Sequence, residues 1–158
     1  MQLRELHIQP GHLIRRAQQI AVALFMEECA AFDLTPVQYA ALVAIKENPG
    51  IDATRLSALV AFDRSTLGNV LERLEARRLV ERYASDEDKR VKLIKLTGAG
   101  AALSERAEAA VLRAQERILK PLKAADRAKF MALLAQLVEL NNEASRVPQR
   151  APNGHARA

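Results

Sequence analysis

Cysteine is nearly missing: Cys29 stands alone among 158 residues. No internal disulfide can form, which suits a chain kept in a reducing cytoplasm. Histidine is scarce too, and His7, His12 and His155 do not fall at metal-ligand spacings, so neither a metal nor another cofactor is expected. No apolar run is long enough to span a membrane, and the N-terminus lacks a signal-peptide pattern. No segment repeats. The usual signs of enzymatic chemistry are also missing. The sequence pairs no nucleophile with a base and sets no two carboxylates in apolar surroundings. Gly98-x-Gly100 is a fragment of a helix start, far short of a nucleotide loop. These absences leave a cytoplasmic, non-enzymatic chain, long enough for one good core or for one domain plus an oligomerisation element.

Charge is present in excess of one sign. The formal net charge is +5 and the pI about 9.7, which favours an anionic partner. Much of the excess lies outside the most structured stretch: from Asp63 to Lys92 there are eight basic and seven acidic residues, a local net of +1. Placement of charge, rather than its sum, must therefore carry any argument for nucleic acid.

That stretch, Asp52 to Thr97, reads as helix, turn, helix and a two-stranded ribbon. In the second helix Leu67, Val70, Leu71 and Leu74 fall at i, i+3, i+4 and i+7, one stripe that must face a core. The opposite face carries Ser65, Asn69 and Glu72, flanked by Arg64, Thr66, Gly68 and Arg73. Short hydrogen-bonding groups near a helix start, with cations beside them, suit a helix whose N-terminal half enters a major groove; a solvated face is the alternative. The preceding helix supplies Ala53, Leu56, Leu59 and Val60, and only Ala61 and Phe62 separate it from Asp63. So short a connection makes the helices cross steeply. Asp63 is placed to cap the second helix. Val80–Ala84 and Val91–Leu96, rich in β-branched and aliphatic residues and separated by a polar run, predict a hairpin with a charged tip. Ile51 is placed to add a short third strand.

The run resembles the MarR family of bacterial transcription regulators, whose wing reads Asp-Pro-x-Asp-Arg-Arg before a strand ending Leu-Thr, with Gly three residues on. Here the matching residues are Asp88-Lys89-Arg90, Leu96-Thr97 and Gly100. The resemblance covers nearly the whole chain. It implies that Arg90 enters the minor groove, with Lys89 beside it, and that Asp88 holds the wing tip in shape. Two departures mark this chain. Ser85-Asp86 replaces the usual Asp-Pro, and Arg78 stands where most members close the recognition helix with Gly, at a position that normally wants a left-handed conformation.

Around this element the pattern is helical. A short leader precedes Pro10, which suits a first helical turn, and helix is predicted to about Phe32. Leu13, Ala17, Ile20 and Leu24 form one stripe, and Ile14, Ala21 and Phe25 an adjoining one. Arg15 and Arg16 sit beside this wide face, with His12 one turn earlier and Gln19 one turn later. They read either as solvated cations or as a clamp for a small carboxylate at the edge of an apolar crevice. Thr35-Pro36-Val37-Gln38 is a capping box with proline at the first position. Tyr39 is either a core tyrosine or a hydrogen-bond donor in the same crevice. Cys29 lies late in its helix beside Glu27 and Glu28, which disfavour a thiolate; a buried, inert thiol is the expectation and a redox sensor the alternative. After the wing, Thr97 caps a long helix to about Pro121, and a last helix from about Ala125 to Ala144 carries Phe130, Leu133, Leu134, Leu137 and Leu140. The tail, 147–158, has no periodicity and is expected to be disordered.

The predicted fold is mainly α with a small β-wing. Residues 35–97 form the winged helix-turn-helix, and 1–34 with 98–146 form a helical dimerisation region whose apolar surface the winged element cannot cover. A homodimer with two-fold symmetry would set two recognition helices roughly 34 Å apart on an inverted-repeat operator. The family resemblance further implies that a small aromatic carboxylate or phenol binds between the two regions and lowers DNA affinity. A sequence-indifferent DNA architectural protein is the remaining alternative.

Overall fold

A computed structural model describes residues 2–150. A short helix, α1 (Leu3–Leu6), occupies the leader, and Pro10 opens α2 (Pro10–Glu28). α2 ends before the expected Phe32, because Ala30–Phe32 tightens into a 3-10 turn and Asp33 adopts a left-handed backbone at φ 49°. The capping box then acts as its sequence predicts. Thr35 Oγ1 accepts from the Gln38 amide and Gln38 Oε1 from the Thr35 amide, starting α3 (Pro36–Glu47). Strand β1 (Ile51–Asp52) leads into α4 (Ala53–Val60), capped by Asp52 Oδ1 on the Thr54 and Arg55 amides.

The short turn into α5 (Arg64–Ala76) is made by Ala61, left-handed at φ 54°. Ser57 steadies that turn, its carbonyl accepting from the Phe62 amide and its hydroxyl donating to the Phe62 carbonyl. Strands β2 (Val80–Ala84) and β3 (Lys92–Leu96) form the antiparallel hairpin, with Arg82 opposite Ile94. β1 adds to its other side, Ile51 opposite Ile94, giving the order β1-β3-β2. Thr97 caps α6 (Gly98–Leu119) through the Gly100 amide, and α7 (Ala124–Leu140) follows.

Two cores result. The larger lies within the winged element, where Leu42 and Ile45 of α3, Leu56 of α4, Leu67, Leu71 and Leu74 of α5, and Ile94 of β3 are fully or almost fully buried. The apolar stripe of α5 is thus the inner face. The smaller core joins α2 to α6 through Phe25, Cys29, Ala110, Val111 and Ala114. The small alanines let the two backbones approach. Glu28 closes this junction at its edge, accepting from Arg117 at 2.8 Å and Arg113 at 3.0 Å.

α7 differs from a core helix. Phe130, Leu133, Leu134, Leu137 and Leu140 are 37 to 76% exposed, because within one chain α7 packs chiefly on the Asn142–Ala144 turn that follows it. The tail also departs from expectation. The Arg150 amide donates to the Ala58 carbonyl and Gln149 Nε2 to the Leu59 carbonyl. Arg150 also pairs with Glu143. Residues 147–150 are therefore held against the end of α4, whose last carbonyls lack helical partners. The rest of the segment expected to be disordered lies outside the described residues.

Candidate nucleic-acid interface and effector site

The α5 stripe is buried, so its other face is presented outward. Arg64, Ser65, Asn69, Glu72 and Arg73 are exposed, while Thr66 and Gly68 are half-buried. Asp63 caps the helix, with Oδ1 accepting from the Thr66 amide at 2.9 Å. It does more than its sequence position indicates. Ser65 Oγ donates to Oδ1 at 2.6 Å and Thr66 Oγ1 to Oδ2 at 2.8 Å. These bonds, that of Ser65 foremost, hold the Asp63 carboxyl far below the usual carboxylate range. Gly68 has open space where a Cβ would stand.

The C-terminal end of α5 contains a feature sequence reasoning missed. Arg77 donates to the carbonyls of Asp33 and Phe32, at 2.5 and 3.1 Å. These carbonyls are freed by the left-handed Asp33, so the clasp ties the end of α5 to the end of the α2 segment. No local signal could reveal it, since the partners lie more than forty residues apart. Arg78 is left-handed at φ 57°, the conformation inferred from the glycine it replaces, and its amide donates to the Glu75 carbonyl at 2.8 Å.

At the wing tip Ser85 supplies the turn that the missing Asp-Pro would have made: its Oγ accepts from the Glu87 amide at 3.3 Å. The Ser85 amide donates to the Val91 carbonyl, and the Val91 amide to the Asp88 carbonyl. Asp88 accepts from the Arg90 amide at 3.0 Å and from its guanidinium at 3.2 Å through both carboxylate oxygens. Those bonds hold the Asp88 carboxyl below its ordinary value, the guanidinium contributing most. The Arg90 side chain is 92% exposed, and Lys89 is exposed beside it. The tip therefore carries a cation pre-oriented by a carboxylate and open to solvent.

On α2, Arg15 Nη2 lies 3.5 Å from His12 Nδ1, and Arg16 Nη1 donates to Gln19 Oε1 at 3.0 Å. Desolvation, then the charge of Arg15, keep His12 below its ordinary value. Leu13 and Ile14 are about half exposed beside these groups. Ile14 also lines a hollow of about 450 Å³ with Ala61, Leu137, Val138, Asn142 and Gln149.

Tyr39 is not there. It packs on Phe25, ring centroids 6.2 Å apart, ten residues beyond Arg15 and so about 15 Å farther along α2. Its phenol is pushed up by desolvation and by Glu108. A single chain thus gathers His12, Arg15, Arg16 and Gln19 and leaves Tyr39 apart.

Cys29 is fully buried. Desolvation first, then Glu28, raise its thiol above the ordinary value. A redox sensor needs an exposed thiol of low pKa, and Cys29 is neither. Among the described residues no helix is long and apolar enough to cross a membrane.

Comparison with known proteins agrees with this geometry. A family model described as MarR family matches residues 32–91. The chain is 29% identical over 136 residues to the transcriptional repressor NicR of Pseudomonas putida, a match covering 86% of each protein. It is similar in structure to Bordetella bronchiseptica BpsR, whose DNA binding is regulated by 6-hydroxynicotinic acid. That match has 30% identity and a TM-score of 0.78, over 84% of this chain and 95% of BpsR. A mutant Escherichia coli MarR complexed with operator DNA gives a TM-score of 0.78 at 29% identity, over 87% of this chain and 99% of MarR.

Proposed function

The chain belongs to the MarR family of transcriptional regulators, and from that premise we propose that it is a homodimeric repressor released from an inverted-repeat operator by a small aromatic acid. The observation that carries the DNA-binding part is the division of α5. One face is core, and the other offers hydroxyls, an amide and two arginines while Arg90 stands exposed on the wing. In this reading Arg64, Ser65, Thr66, Gly68, Asn69 and Arg73 meet the major groove, and Lys89 and Arg90, ordered by Asp88, meet the backbone or minor groove.

A second copy of the chain is the partner that the exposed rows on α2 and α7 fit. Leu13, Ile14, Ile20, Leu133, Leu137 and Leu140 are 46 to 76% exposed, a continuous cost in water that two-fold pairing removes.

The effector reading rests on the α2 start. Arg15 or Arg16 supplies a bidentate cation, His12 and Gln19 supply further polar partners, and Leu13, Ile14 and Ala17 supply the bed for a flat ring. The hollow beside Ile14 reaches Ala61, the turn between α4 and α5, so a ligand there would touch both the dimerisation helices and the helix-turn-helix. It shifts the equilibrium only by binding the DNA-incompetent arrangement more tightly. The 6-hydroxynicotinic acid that regulates BpsR has the matching chemistry, a carboxylate on a flat ring. Tyr39 is assigned to the α2–α6 junction instead.

Calorimetry against benzoate, hydroxybenzoates and hydroxynicotinates tests this, with wild type, Arg15→Ala and Arg16→Ala side by side. One arginine variant should lose affinity by at least tenfold, as expected for a charge-assisted bond, while ligand-free DNA binding survives. Intact binding in both variants would return the arginines to the solvent.

A further inference from the structure

We infer that Asp63 fixes the direction in which the recognition helix reads bases: with their protons held by Asp63, the hydroxyls of Ser65 and Thr66 face the groove as acceptors and select adenine or cytosine. The inference rests on the reading that the start of α5 enters a major groove, and it adds the sign of the contact.

A hydroxyl has one proton and two acceptor lone pairs, and an ionised carboxylate only accepts. At 2.6 Å and 2.8 Å from Asp63, Ser65 Oγ and Thr66 Oγ1 must therefore be the donors. Their remaining hydrogen-bonding capacity is acceptor only. Near the centre of the major groove each base presents one exocyclic group, an amino group on adenine and cytosine and a carbonyl oxygen on thymine and guanine. An outward lone pair is satisfied by the first pair of bases and repelled by the second. Turning a hydroxyl round to donate would break a charge-assisted bond, about twice as strong as a neutral one. Arg64 and Arg73, donors only, are left to contact guanine or phosphate.

Asp63 also meets the backbone as a cap, so a variant must keep that bond. Asp63→Asn does so, since asparagine is as good an N-cap as aspartate. In that variant the side-chain oxygen can stay on the Thr66 amide and Ser65, as Oδ1 does now. The amide nitrogen then replaces Oδ2 and donates to Thr66 Oγ1, freeing that hydroxyl proton to point outward. Removing a negative charge near phosphate raises affinity at every sequence, so base preference is the informative readout, not affinity.

The experiment is selection of full-length protein on a random duplex pool, with wild type, Ser65→Ala, Thr66→Val and Asp63→Asn, and thermal melts of each. Ser65→Ala and Thr66→Val should each weaken preference at one base position, by up to about tenfold. In wild type those positions should hold adenine or cytosine on the contacted strand. Asp63→Asn should melt like wild type and turn the Thr66 position toward thymine or guanine, leaving the Ser65 position unchanged. Thymine or guanine at those positions in wild type, or an Asp63→Asn preference identical to wild type, overturns the inference while leaving groove entry intact. A selected motif that ignores both hydroxyl substitutions removes the start of α5 from base reading altogether, and the inference with it.

Discussion

Gly100→Ala tests how the winged element is seated on α6. Gly100 lies in the first turn of α6, and a Cβ there would stand 2.0 Å from the Leu79 carbonyl oxygen and 2.9 Å from its carbon. Both are backbone atoms, so no rotamer change relieves the clash. The start of α6 must move away from the Leu79 backbone by about 1 Å or more. Leu79 O already accepts from the Thr97 amide at 3.1 Å, and Thr97 Oγ1 caps the Gly100 amide at 3.0 Å, so the shift also strains the helix cap. Overpacking costs about 1 to 3 kcal/mol and a lost cap about 1. Replacing glycine by alanine in a helix returns up to about 1. With that return in full, the net is a loss of about 1 to 3 kcal/mol, or roughly 2 to 12 °C in Tm for a chain of this size. Gly98→Ala is the control, two residues earlier with nothing within 4 Å of its Cβ, and its Tm should hold or rise slightly. Circular-dichroism melts of both variants decide. A Gly100→Ala protein as stable as wild type would mean that α6 and Leu79 do not approach as described.

Three further outcomes are expected. Arg78→Gly should raise stability by about 1 kcal/mol, since a side chain at φ 57° is strained where glycine is not; a lower Tm would contradict it. Gly68→Ala should also stabilise α5, by up to about 1 kcal/mol, because its methyl meets no protein atom. If bare backbone at Gly68 approaches DNA, operator affinity should fall in a gel-shift titration, and unchanged affinity removes Gly68 from the interface. Glu28 is held below its ordinary value by Arg117 and then Arg113. Its stabilising contribution is therefore present above the unfolded glutamate value, about 4.3, and is lost as pH falls through the folded value. Melts between pH 6 and pH 3 should show a smaller acid loss in Glu28→Gln than in wild type, and parallel curves would sink the assignment.

Local rules made most of the winged element legible. The apolar period of α5, the Thr35 capping box, the Asp63 cap and the run Val80–Ala84 each depend on residues within one or two turns. All appear where the sequence places them, with β3 starting one residue late, at Lys92. Arg78 was legible as a departure, since the family's glycine carries a backbone requirement that arginine must still meet. Ala61 gave no such sign. Its left-handed turn is imposed by Ser57 and Phe62 closing on each other, and alanine advertises nothing.

The misplacements are long-range. Tyr39 and Arg15 share the α2 side of the molecule but not the same height along it, which a helical face does not encode. Residues 147–150 look unstructured because their partners, the carbonyls at the end of α4, are ninety residues away. The hydroxyl bonds of Ser65 and Thr66 were open to a closer reading, since a capping aspartate followed two and three residues later by hydroxyls can hold both.

The most direct test of specific DNA binding is a fluorescence-anisotropy titration over a range of salt, comparing an inverted-repeat duplex from upstream of the protein's own gene with a scrambled duplex. Wild type should prefer the inverted repeat by roughly 10³-fold or more. Arg90→Ala should weaken binding to both duplexes and flatten the salt dependence by about one counterion per protomer. Equal affinity for the two duplexes, or an Arg90→Ala protein that binds as wild type does, would contradict a sequence-specific repressor that grips DNA through α5 and the wing.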